Sequence, residues 1–266
     1  RLRAAAGVLG AVAFTYGGYL TGYPPLQNAV LAVNAWGPWA LLWAGRLAET
    51  RAPRDLALTA LTLALGFLAG HPQTFLFVVL ITLAYFIFRH RAQAAPGSLR
   101  PGLGLLLGFG LLAGLLTGAQ LLPSLEFVAA STRASVPYTQ AAHGFLFQDL
   151  GQLLVPGLTS VWSPLYVGLL PLGLAAFALT RRLSEVRFWA GTALVSLVLT
   201  FGAQAAAYDA VYWLVPGLAL FRGAERLALI VSLALAVLAA FGADAALSAL
   251  SRPARRQFAR LTRAGL

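Results

Sequence analysis

The chain has 266 residues, 59% of them hydrophobic and 10% charged, and its mean hydropathy of +0.78 excludes a soluble globular surface. With 0 Cys there is neither a disulfide framework nor a thiolate metal site, and the three His (His71, His90, His143) lack ligand spacing. The formal charge of +11 arises from 19 basic residues, all Arg, against 8 acids, and their placement points to membrane topology rather than to nucleic acid.

A spanning helix needs roughly 20 mostly apolar residues at about 1.5 Å each. Eight segments are expected to span, in chain order 4–20, 28–45, 55–70, 73–88, 102–122, 165–180, 188–204 and 227–247. The third and fourth are short, roughly 24 Å each, and merging them would give a helix of about 50 Å. Gly70 and Pro72 between them supply the chemistry of a turn. The expected fold is all-α: a polytopic bundle of about eight transmembrane helices forming one integral membrane domain over residues 1–266. The sequence contains no Met, even at position 1, and is read as a piece truncated at its N-terminus.

Arg is retained on the cytoplasmic side of a membrane. Eight spans starting inside put Arg1 and Arg3, Arg46, Arg51 and Arg54, Arg89, Arg91 and Arg100, Arg181, Arg182 and Arg187, and the cluster Arg252–Arg263 on one face. That is 16 of 19, leaving Arg133, Arg222 and Arg226 outside. Both ends are therefore expected in the cytoplasm, with the last cluster contacting anionic headgroups. Two outer segments, 123–164 and 205–226, are long and carry the acids Glu126, Asp149, Asp209 and Glu225. The Gly-rich runs at 102–104 and 108–110 read as helix packing positions.

Four outer places hold polar groups that need explaining. At Gly70-His71-Pro72-Gln73 the short arms set His71 and Gln73 below the membrane surface, where they either cap a turn or line a substrate cavity. At Gly118-Ala-Gln120-Leu-Leu-Pro123-Ser-Leu-Glu126, Pro123 can open a new helix with Glu126 in its first turn, favoured by the dipole. The alternative is that Glu126 and Arg133, seven residues apart, present a carboxylate and a guanidinium to a polar ligand. At Phe221-Arg222-Gly-Ala-Glu225-Arg226, two Args run against the charge bias, and guanidinium binds phosphate bidentately. They either hold a lipid phosphate or pair with Glu225 and ordinary headgroups. Around Tyr23-Pro24-Pro25-Leu-Gln27 the prolines explain the turn, and Asn34 nearby is either a helix-to-helix hydrogen bond or a functional group. No Walker motif, HExxH, GxSxG or spaced carboxylate pair is present.

The run Gly10-Ala-Val-Ala-Phe14-Thr-Tyr-Gly-Gly-Tyr19-Leu-Thr-Gly-Tyr23-Pro-Pro-Leu-Gln27, followed by Ala35-Trp36-Gly-Pro38, Ala69-Gly-His71-Pro-Gln73, Gly118-Ala-Gln120-Leu-Leu-Pro123-Ser-Leu-Glu126, Tyr166-Val-Gly168-Leu-Leu-Pro171 and Phe221-Arg222 with Arg226, resembles the bacterial YfhO-type membrane proteins along nearly the whole chain. The resemblance implies a GT-C-like fold in the bacterial cytoplasmic membrane. It further implies transfer of a sugar from a polyprenyl-phosphate donor to a cell-envelope acceptor on the extracytoplasmic side. Such enzymes resemble one another in an acidic residue on the first outer loop, which acts as base or binds a divalent metal; this sequence opens after that region. Ala224 stands where the family often has Pro, leaving the Args in place. In this reading Arg222 and Arg226 hold phosphate, His71, Gln73, Gln120 and Arg133 contact sugar or acceptor, and Glu126 is the remaining candidate base. The chain itself identifies no cofactor. A transporter or flippase of lipid-linked substrates and a noncatalytic lipid-binding module are the competing readings. The first would show matching halves, and the hairpin at His71 has no counterpart in the second half.

Overall fold

A computed structural model describes residues 2–22, 27–93, 100–131 and 136–249. The chain is all-helical, with 79% helix and no strand among the described residues. The principal helices are α1 (Ala4–Thr15), α2 (Gly18–Thr21), α3 (Asn28–Thr50), α4 (Pro53–Leu68), α5 (Pro72–Gln93), α6 (Arg100–Ala129), α7 (Tyr138–Ala141), α8 (Leu169–Ala178), α9 (Ser184–Thr200), α10 (Ala207–Leu214) and α11 (Ala228–Ala249). Among the described residues four helical stretches are long and apolar enough to cross a membrane: Ala4–Thr21, Pro72–Gln93, Gly102–Ala129 and Ala224–Ala249.

Each of the eight expected segments holds helix, but several differ in length. The sixth is only 10 residues, Leu169–Ala178, or about 15 Å. It starts late because Gly168 sits at φ +95°, a conformation that breaks the helix before it and favours glycine. The third, α4, begins with Pro53 at its first position, which needs no N–H there. It ends at Leu68, and Gly70, with φ +93°, reverses the chain into α5.

The chain divides into two compact units. The first comprises Arg1–Tyr23, Gly144–Tyr208 and Ala224–Leu266. Its centre is α11, whose small residues let backbones approach closely, as apolar helices without a solvent driving force require. A Cβ on Gly242 would lie 1.9 Å from the Leu174 carbonyl oxygen of α8, and one on Gly10 of α1 would lie 2.9 Å from the Ala236 oxygen. Ser232 adds a buried hydrogen bond to the Pro164 carbonyl at 2.8 Å, and Asp244 accepts from the Arg3 backbone N–H at 3.1 Å.

The second unit comprises Pro24–His143 and Asp209–Gly223. Here α3 packs against α4 and α5, and α6 packs on α4. Asp55, 2% exposed, accepts from Thr50 Oγ1 at 2.6 Å and from Arg46 Nε at 3.4 Å, closing the α3–α4 turn. Arg89 pairs with Glu49 and donates to the Tyr85 hydroxyl at 3.1 Å. Buried Asn34 makes no hydrogen bond among the described residues through either amide atom, so of its two readings the helix-to-helix bond is not formed there.

Candidate functional site

Two of the four polar places are joined within the second unit. Gln73, 5% exposed, lies in the first turn of α5 and donates from Nε2 to the Arg222 carbonyl at 2.7 Å and the Gly223 carbonyl at 3.2 Å. A buried primary amide must find acceptors, and these two carbonyls lie 149 and 150 residues along the chain. Gly223 takes φ +79°, which lets the chain turn so that both carbonyls face the amide. Its own N–H donates to the Gln140 carbonyl at 3.2 Å. The Arg222 side chain is exposed.

Gln140 belongs to α7, and the same short helix carries Tyr138, whose hydroxyl donates to Asp209 Oδ1. That bond favours the protonated phenol; with burial and the nearby carboxylate charge it pushes the Tyr138 pKa up to about 12. Tyr138 also packs edge-on against Tyr212, with centroids 5.1 Å apart. Asp209 lies in the first turn of α10, where the helix dipole favours a carboxylate. A continuous set of contacts therefore runs from Gln73 through Arg222, Gly223, Gln140 and Tyr138 to Asp209. The pairing of Tyr138 with Asp209 spans 71 residues, and no sequence spacing announces it.

His71 caps its turn: its Nδ1 accepts the Thr74 N–H at 3.2 Å and lies 2.8 Å from Thr74 Oγ1, which occupies one of the N–H groups that α5 leaves without helical partners. Gln120 is exposed and donates to Ser124 Oγ at 3.2 Å, one turn further along α6.

Glu126 is placed differently from expectation. Pro123 does not open a new helix; α6 continues through it to Ala129, because in apolar surroundings helix is the way to satisfy the remaining backbone groups despite one missing N–H. Glu126 consequently lies in the last turn of α6, where the dipole disfavours a carboxylate, and its side chain is exposed. The helix ends at Ala129. Arg133 itself lies outside the described residues, as do residues 23–26 and the Arg cluster after position 250. Arg226 belongs to the first unit, half-buried in a short 3-10 turn, Ala224–Leu227, together with Glu225.

Among the described residues no three of His, Asp and Glu converge. The donor set that a divalent metal would require is thus not assembled by them. Compared with family models, curated proteins and solved structures, the chain gives no significant match.

Proposed function

We propose that the chain is a multi-pass membrane protein of the bacterial cytoplasmic membrane, with eight spans and both ends inside, that binds a polyprenyl-phosphate sugar at its outer face. In the full-length protein the sugar passes to a cell-envelope acceptor, as the resemblance to YfhO-type, GT-C-like proteins implies. The observation that carries this reading is the hydrogen bonding of the Gln73 amide to the Arg222 and Gly223 carbonyls. It fixes the backbone from which an exposed Arg222 side chain projects beside a polar turn, and a guanidinium held at headgroup level suits a phosphate.

In this reading Arg222 holds the phosphate and stabilises the negative charge that grows on the leaving polyprenyl phosphate, and Arg226 remains a separate candidate for phosphate binding. The acceptor hydroxyl loses its proton to a carboxylate as its oxygen attacks the sugar carbon. The carboxylate connected to Gln73 and Arg222 through the chain of contacts is Asp209; among the described residues no hydrogen bond or ion pair joins Glu126 to that set. Asp209 thereby becomes the stronger candidate base within this chain, and Gln120, His71 and Arg133 remain candidates for sugar or acceptor contact. The exposed position of Glu126 favours a second reading, in which the chain binds the lipid without catalysis.

Native mass spectrometry of the detergent-extracted protein with added polyprenyl phosphate tests the phosphate assignment. Arg222→Gln and Arg226→Gln together should lower binding by at least about tenfold, since charge-assisted hydrogen bonds are worth roughly 1.5–3 kcal/mol each. Unchanged binding would sink it. In a transfer assay on the full-length protein, loss of turnover in Asp209→Asn but not in Glu126→Gln would assign the base; turnover retained in both would leave the noncatalytic reading ahead.

A further inference from the structure

At the Arg-rich end of the second unit, the last turns of α5 and the first turn of α6 enclose a cavity of about 340 Å³ lined by Phe86, His90, Arg91, Gly102 and Leu106, among others. His90 is 3% exposed, and among the described residues neither of its ring nitrogens has a hydrogen-bond partner. Its ring stacks on Phe86, with centroids 5.7 Å apart and planes 7° apart. A Cβ on Gly102 would lie 2.7 Å from His90 Nε2, so only glycine lets the imidazole lie directly against α6. A buried imidazole with both nitrogens unmet is costly and calls for a partner.

Arg91 lines the same cavity. Its neighbours Arg89 and Arg46 are engaged by Glu49 and Asp55, whereas Arg91 has no carboxylate partner among the described residues and is exposed. The cavity therefore offers an N–H donor and a surplus cation to an anion.

Leu106 also belongs to a second hollow, of about 540 Å³, that follows α6 as far as Leu122 and is floored by Gly110, Gly114 and Gly118. A Cβ on any of these three glycines would meet nothing within 4 Å. From Leu106 to Leu122 the furrow is roughly 24 Å long at the helical rise, longer than the one leaflet that an acyl chain occupies, about half of a hydrocarbon core of about 30 Å.

We propose that this continuous groove is a binding site for an anionic phospholipid, its phosphate accepting from His90 and Arg91 and an acyl chain lying in the glycine-floored furrow. Charge and continuity select this occupant. A second helix packed on the glycines would fill the furrow and leave His90 unmet, whereas a phospholipid meets both ends. The site uses none of the residues assigned to polyprenyl phosphate and does not depend on glycosyl transfer.

The test is native mass spectrometry of the delipidated full chain in detergent, titrated separately with phosphatidylglycerol, with phosphatidylcholine of the same acyl chains, and with inorganic phosphate. Phosphatidylglycerol should bind about tenfold more tightly than phosphatidylcholine, whose choline cation offsets the phosphate charge that faces Arg91, so Arg91→Gln should remove that preference; His90→Phe, which keeps the stacking, removes a donor to the phosphate that both lipids share and should weaken both. Gly114→Leu, whose side chain enters open space and leaves packing intact, should weaken both lipids. Inorganic phosphate should bind far more weakly than either. Equal affinity for the two lipids, a preference surviving in Arg91→Gln, unchanged lipid binding in His90→Phe or in Gly114→Leu, phosphate binding as tightly as phosphatidylglycerol, or a lipid-free dimer would each overturn the proposal.

Discussion

Helices α6 and α11 are both long, apolar and rich in small residues, yet 78% of the best spanning window of α11 is buried within the protein and only 17% of that of α6. The difference lies in where the small residues fall. On α11, alanines and Gly242 face helices on several sides, and fourteen of its residues are buried. On α6, Gly110, Gly114 and Gly118 share one face with a row of exposed leucines, Leu103, Leu107, Leu111 and Leu115, while Phe109 anchors the opposite face edge-on to Phe86. Apolar composition alone therefore does not say whether a helix meets protein or lipid; the side on which close approach is possible does.

The contrast is most easily broken at Gly242. Gly242→Ala places a methyl group 1.9 Å from a backbone oxygen, with no flexible side chain to yield, and should destabilise the protein by about 3 kcal/mol, measured by SDS-induced unfolding followed by circular dichroism. Ser232→Ala leaves the buried Pro164 carbonyl without its donor and should cost about 1 kcal/mol in the same assay. If either change is silent, α11 is not the packed centre described above. Gly114→Ala should act in the opposite sense, stabilising by about 0.5 kcal/mol through helix propensity alone; a clear loss would mean that this face of α6 is covered.

The subtlest test uses a bond on neither helix. The pKa of Tyr138, raised to about 12, lies above the value of about 10 expected in the unfolded chain. The bond to Asp209 thus contributes stability that is complete below pH 10 and is lost as the pH rises through 12. Ultraviolet difference titration should show one phenol near pH 12 that vanishes in Tyr138→Phe and moves toward 10 in Asp209→Asn.

The positions of the helices were readable because apolar runs, Gly70 and the prolines are local signals. The hairpin between α4 and α5 follows directly from Gly70-His71-Pro72. Lengths were less readable: α8 is short because Gly168 adopts a positive φ, which no composition encodes. In the candidate site, the polar character of Gln73 and Arg222 was visible, but their junction across 149 residues depends on tertiary packing. Glu126 misled because Pro123 reads as a helix start in any context, whereas backbone satisfaction in apolar surroundings keeps α6 unbroken.

The discontinuity of the first unit also has a consequence for biosynthesis. Its opening helix, α1, packs on α11, and more than 200 residues separate Thr15 from Ala228. At roughly 5–20 residues per second of translation, α1 waits on the order of 10–40 s for its partner while the 24–143 block of the other unit is already synthesised. An apolar helix left that long without its partner depends on lipid or a chaperone to shield the face around Gly10. Assembly of the first unit is therefore timed by the arrival of the last helix.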